Sequence, residues 1–272
     1  MGTVTQRINE LMEFPSEYLS RLGFKFSFHY LELLRTNKIE LFFQNISRVR
    51  GRCSFSVELT PHDELIPYIN DIMQICQKNL GALCHVTVAR DSNDSKIPIL
   101  SSLSFFEYRS VWGRFHSPLF DFKMSTFNHK QTEYCWAGAW SGVLDLGSGD
   151  FRPCYRAFYS QNIFNDLSSP IRFIPIGTHC PDPHCYNSHV FLTLGLIPSL
   201  STPTYSSMRN RICIDGTEWL SPNMAAFLSS RLYDENDDFR DWKFPLFRVW
   251  LLFTSFWRSV SVFIDHQLRK VQ

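Results

Sequence analysis

Three short runs in the first third of the chain alternate apolar and polar residues: FKFSFHYL at 24–31, SFSVELT at 54–60 and CHVTVAR at 84–90. A period of two is the mark of a strand with chemically distinct faces. Helical patterns precede and separate them. One covers 5–22 with a break at Pro15, one runs from a cap at Thr36 or Asn37 to 48, and one starts after Pro61 with Asp63 and Glu64 and ends near 79. The order strand–helix–strand–helix–strand, with helices long enough to cross over, predicts an α/β fold with parallel strands and right-handed connections.

The faces of these strands differ in kind. Phe24, Phe26, Phe28 and Tyr30 share one side of the first run, and Lys25, Ser27 and His29 share the other. In the second, Phe55, Val57 and Leu59 oppose Ser54, Ser56, Glu58 and Thr60. In the third, Val86 and Val88 oppose His85, Thr87 and Ala89. Parallel strands buried on both sides usually read as unbroken apolar runs. An apolar row under helices and a polar row beside it suggest the wall of a ligand-holding cavity. A curved sheet with one wet face is the alternative.

Beyond Arg90 the sequence RDSNDSK marks a turn, 104–115 a helix and 119–124 a short strand. From 134 the texture changes to Gly, Pro, Cys and short alternating runs. Segments 140–146 and 151–155 flank Gly147-Ser148-Gly149 and read as a β-hairpin. Residues 162–189 are loop-rich, with a turn at PDPHC. From 215 onward the pattern is helical, with an acidic break at 234–238.

A net charge of +1 gives no global pull toward nucleic acid or acidic membrane. The start, MGTVTQRINELMEF, lacks the apolar stretch of a secretory signal. The most apolar stretch, 244–264, is interrupted by Arg248 and Arg258, so it is expected to be a buried or partner-facing helix. A cytoplasmic location, with neither nucleic acid nor membrane as partner, follows as the expectation. Asn45-Ile46-Ser47 matches a glycan acceptor but falls in a predicted helix, and YSSMRNR at 205–211 reads as a small basic surface patch.

Eight cysteines without a secretory signal point to reduced thiols, metal ligation or burial more than to disulfides. Cys53, Cys76, Cys84 and Cys213 fall in or beside regular elements, as inert core thiols do. Cys135, Cys154, Cys180 and Cys185 fall in the loop-rich region with the spacing C-x18-C-x25-C-x4-C. A hairpin presenting Cys154 beside a tight turn holding Cys180 and Cys185 would let four soft donors meet at one centre. Spacing leaves three readings open: iron–sulfur, a tetrahedral zinc site of four thiolates in which His179, His184 or His189 could stand in for one, and unligated cysteines.

The words around the four cysteines resemble a known family. CWAGAWSGVLDLGSGDFRPCY is similar to the C-x-A-G…G-x-x-x-x-C opening of the auxiliary-cluster extensions of radical S-adenosylmethionine (SAM) proteins, the SPASM and twitch domains. NIFNDLSSPIRFIPIGTHCPDPHCYNSHVFLTLG looks like their closing part. FKFSFHYLELLR, SFSVELTPHDELIPYI and GALCHVTVARD resemble the fourth, fifth and sixth strands of that family's partial (β/α) barrel. The resemblance spans about residues 3–212. It implies one 4Fe-4S cluster on Cys135, Cys154, Cys180 and Cys185, and a lumen for SAM and substrate lined by Ser27, His29, Glu58 and Arg90.

The chain departs from the family where SAM is cleaved. It contains no C-x-x-x-C-x-x-C and no Gly-Gly-Glu motif. The expected organisation is the C-terminal half of a partial barrel at 1–126, an auxiliary-cluster region at 127–214 and a helical tail at 215–272. The resemblance thus implies a fragment that binds a cluster and does not cleave SAM alone. The intact enzyme would act on a peptide or small-molecule substrate, with an electron-donor protein as partner. A zinc-stabilised module without catalysis is the competing expectation.

Overall fold

The computed structural model describes residues 2–130, 135, 137–138, 142–155, 160–174, 176, 180, 182–185 and 203–229. The chain divides into two compact units, Met1–Phe127 with Ser201–Arg231, and Asn128–Leu200 with Leu232–Gln272.

The first unit is mixed α/β. Helices α1 (Thr5–Met12) and α2 (Ser16–Leu19), parted by Pro15 as the sequence predicts, lead into β1 (Gly23–Ser27). Helices α3 (Tyr30–Arg35) and α4 (Ile39–Val49) connect it to β2 (Ser54–Leu59). A 3-10 turn (Asp63–Tyr68) and α5 (Ile69–Leu80) lead to β3 (His85–Val86). The strands form a parallel sheet in the order β1-β2-β3, with Phe26 opposite Val57, Ser27 opposite Glu58, and Glu58 opposite His85. The three parallel strands form an open sheet, and no sheet is closed among the described residues.

The apolar row packs as its alternation dictates. Phe26, Phe28, Phe55, Val57, Leu59 and Val86 are buried. Phe28 stacks on Phe42 of α4 with ring centroids 5.3 Å apart, and Phe43 meets both rings edge-on. Each such side chain contributes roughly 1.5–3 kcal/mol by leaving water. This cluster fixes α4 against the sheet.

Four local expectations are corrected. The first strand ends at Ser27, not 31. Tyr30 begins a helix, and His29 is its exposed N-terminal flank. Thr36 and Asn37 end α3 rather than cap α4. Asn37 takes the left-handed conformation (φ 53), and the Asn37 and Lys38 N–H groups donate to the Leu34 and Leu33 carbonyls. The third strand is ordered as sheet only at His85–Val86. The predicted strand at 119–124 is instead helix α7 (Pro118–Ser125). Ser117 Oγ accepts the Phe120 N–H and Pro118 sits in the first turn, two start signals that outweigh the apolar run. The helix predicted at 104–115 is α6 (Phe105–Gly113), with a full capping box of Ser104 and Glu107.

After the second unit the chain returns with α8 (Tyr205–Arg209) and α9 (Pro222–Ser229). Between them Trp219 is buried and stacks on Phe55 at 5.2 Å. Asn45 lies fully buried in α4, its amide donating to the Gly2 carbonyl, so the glycan-acceptor match is a core position.

In the second unit, β4 (Val143–Leu144), β5 (Asp150–Arg152) and β6 (Gln161–Asn162) form an antiparallel sheet. The predicted hairpin is present in shorter form, with β6 as a third strand. Its turn is held by the Asp145 carboxylate, which accepts the Gly147 and Ser148 N–H groups, and by Gly149 at φ 79. No described helix is long and apolar enough to cross a membrane. The apolar stretch at 244–264 and the acidic break at 234–238 lie outside the described residues.

Candidate functional site

The four cysteines singled out by sequence are all described, all reduced, and all in the second unit. Cys135 is buried, while Cys154, Cys180 and Cys185 are half-buried. Cys154 and Cys185 pack, with Ile176, against a small buried cluster of Cys135 and Ala137. Burial pushes the Cys135 thiol well above the ordinary range. A hydrogen bond with the Ala137 backbone opposes this, and the thiols of Cys185, Cys180 and Cys154 push it further up. Each of the other three is therefore near enough to Cys135 to repel its charge.

The words around the cysteines have local physical reasons. Gly138, in the C-x-A-G word, has φ 98, and a Cβ there would meet the Ile174 carbonyl oxygen and Pro153 Cβ. Only glycine permits this approach. It brings the backbone at Gly138, three residues after Cys135, against Pro153, the residue before Cys154. The Ile176 N–H donates to the Ala137 carbonyl at 2.9 Å, which ties in the segment leading to Cys180. Lys130 Nζ donates to the Cys180 carbonyl (2.6 Å) and the Asp182 carbonyl (2.7 Å), pinning the PDPHC turn. The sequence reading did not find Lys130, because nothing local to it announces a partner fifty residues away.

Proximity is not ligation geometry. Among the described residues, no group of three or more His, Cys, Asp or Glu side chains is arranged to hold a metal ion. His184 is buried within the turn, whereas His179 and His189 lie outside the described residues.

A second polar constellation lies in the first unit, and it draws together part of the lumen set. Glu58, 8% exposed, accepts from Lys25 Nζ at 3.1 Å through one oxygen and from Arg209 at 2.6 Å through the other. Burial alone would push this carboxyl up. The charges of Arg209, Lys123 and Lys25, with the Arg209 hydrogen bond, outweigh it and hold the pKa at about 2. Lys123, on α7, donates to Thr87 Oγ1. Burial lowers its amine, Glu58 opposes that, and Arg90, Arg209 and Lys25 add to it, leaving about 7. Glu58 and Arg90 thus share one neighbourhood. Ser27 and His29 are solvent-exposed.

The polar row of the sheet is therefore neither uniformly wet nor uniformly lining. Ser54, Ser56, Glu58, His85 and Thr87 are buried, while Lys25 and Ser27 stand in solvent. The basic patch read at 205–211 is corrected as well. Arg209 reaches Glu58, and Arg211 donates to the carbonyls of His116, Cys84 and Phe115. Both arginines are structural to the first unit.

His85 supplies a pH dependence. Burial, reinforced by the charges of Arg211 and Arg209, lowers its imidazole to about 3. Between about 6.5 and 3 the unfolded chain binds a proton that the folded one does not, so stability falls as pH falls through that window. Glu58, lowered from 4.5 to about 2, adds a loss at the acid end. Acidifying from pH 7 to pH 4 is expected to remove about 3 kcal/mol through His85. Urea unfolding at successive pH values checks this, and His85→Leu should flatten the slope between pH 6.5 and 4.

In comparisons with known proteins, no family model, no curated protein and no solved structure matches the chain.

Proposed function

We propose that the second unit is an iron–sulfur binding module of the radical SAM auxiliary type, with Cys135, Cys154, Cys180 and Cys185 as ligands of one 4Fe-4S cluster. The observation that carries this reading is the gathering of three thiols around the buried thiol of Cys135. Four thiols in one partly buried neighbourhood cannot ionise together without a cationic core to compensate them. The donor set is the one iron–sulfur chemistry requires. Loading has to draw the sulfurs inward from their present positions, with Gly138 and Lys130 holding the backbones that carry them.

Bound there, a cluster fully ligated by thiolate supplies one-electron transfer or structural support. This chain's own residues set its surroundings. Lys130 donates to the carbonyls of Cys180 and Asp182, and the buried Cys135 side limits access of water. On this reading the first unit, with its parallel strands, is part of a radical SAM-type barrel. Glu58 and Arg90, with the exposed Ser27 and His29, lie toward SAM and a peptide or small-molecule substrate. The sequence has no C-x-x-x-C-x-x-C, so the chemistry assigned to these residues stops at electron relay or support and does not include SAM cleavage.

Anaerobic purification with iron and sulfide tests the reading. A brown protein with broad absorbance near ~400 nm and about four irons per chain is expected. A colourless protein with one zinc per chain would establish the competing zinc-stabilised module, and no bound metal would remove both.

A further inference from the structure

Lys130 brings a charge as well as a clamp to the turn it holds. Its Nζ donates to the Cys180 carbonyl at 2.6 Å and to the Asp182 carbonyl at 2.7 Å. A lysine ammonium is a compact charge with three donors, and two of them are directed here at neutral backbone oxygens. The positive charge thus sits against the peptide of a proposed ligand. Covalent geometry keeps a cysteine's carbonyl oxygen within about 5 Å of its own sulfur. With the 2.6 Å hydrogen bond added, the ammonium lies within about 8 Å of Cys180 Sγ in any rotamer.

We infer that Lys130 raises the reduction potential of a cluster held by Cys135, Cys154, Cys180 and Cys185, as a positioning residue that fixes a positive charge beside one ligand. The inference rests on the cluster reading given above. Reduction by one electron adds one negative charge to the cluster. The potential of such a cluster follows its net charge and the hydrogen bonds and charges set around its ligands. A nearby cation stabilises the reduced form more than the oxidised one. At this separation, discounted because Lys130 is exposed, the effect on the reduced-to-oxidised ratio is about tenfold. A neutral residue at 130 removes one unit of charge whatever other groups surround the turn, so the sign of the shift is fixed.

The test compares full-length wild type, Lys130→Gln and Lys130→Arg, each loaded anaerobically with iron and sulfide. Dithionite supplies the electron against mediator dyes, and electron paramagnetic resonance follows the reduced cluster. Glutamine keeps a donor for the carbonyls and drops the charge, whereas arginine keeps both. At the potential where half of the wild-type cluster is reduced, the reduced-to-oxidised ratio should fall about tenfold in Lys130→Gln and stay near wild type in Lys130→Arg. Both variants should hold about four irons per chain, as the wild type should. An unchanged ratio in Lys130→Gln would overturn the inference and leave the cluster reading standing. So would an equal fall in Lys130→Arg, which would tie the effect to geometry and not to charge. A Lys130→Gln chain that binds no iron while the wild type does would also overturn it, because the lysine would then be a clamp alone. A wild-type chain without iron would remove the cluster reading itself, and this inference with it.

Discussion

Arg209→Met is expected to destabilise the first unit by about 3 kcal/mol, the lower end of the cost of stranding one member of a buried ion pair. Glu58 is buried and both its oxygens are engaged. Without Arg209, one oxygen loses its 2.6 Å partner and only the half-exposed Lys25 remains as a direct ligand. The carboxylate then sits in a poorly solvated place, and its pKa rises from about 2 toward or past the ordinary value. The double variant Arg209→Met with Glu58→Gln should recover much of the loss, because a neutral amide no longer needs the cation. Urea midpoints of the wild type, the two single variants and the double variant measure the coupling directly. A double variant no more stable than Arg209→Met alone would show that the arginine acts through packing and not through Glu58.

The second large effect is on metal content. Cys180→Ala should reduce bound iron from about four per chain to near zero, because a core held by four thiolates loses one of its ligands. The Cys180–Cys185 turn should loosen with it. Lys130 would then hold the turn only through the Cys180 and Asp182 carbonyls. Cys76→Ala is the internal comparison. Cys76 lies fully buried in the core of the first unit, and its loss should leave iron unchanged at the cost of a small cavity. Equal loss of iron from Cys76→Ala and Cys180→Ala would invalidate the ligand assignment.

The parts of the fold legible in the sequence are those whose cause is local. β2 is bounded almost to the residue because SFSVEL alternates between a helix end and Pro61. α6 is legible because Ser104 and Glu107 form a capping box on their own. The segment at 119–124 misled because its apolar residues suit either state, and the deciding signal lay at Ser117 and Pro118, just before it. Alternation also told which residues share a face but not what covers that face. Ser54, Ser56 and Glu58 read as lining a lumen or a wet surface, yet they are buried. Their covering partners, Ser221 and Arg209, lie more than 150 residues further along. Separation along the chain also hid Lys123, which meets Thr87 from 36 residues away. For the cysteines, sequence marked the four that gather, while the means of gathering, Gly138 against Ile174 and Pro153 and Lys130 across the turn, needed coordinates.

The first unit is assembled from two stretches of chain, Met1–Phe127 and Ser201–Arg231, with the whole of residues 128–200 synthesised in between. On the ribosome, Glu58 emerges long before Arg209. The two are 151 residues apart, so at about 5–20 residues per second the wait lasts roughly 8–30 seconds. Throughout it the β2 carboxylate has no guanidinium, and the Phe55 ring has no Trp219 to stack on. The nascent protein therefore passes through a stage with a half-finished interior, when chaperone capture or proteolysis competes most strongly with completion. Any change that lengthens the intervening segment prolongs that exposure.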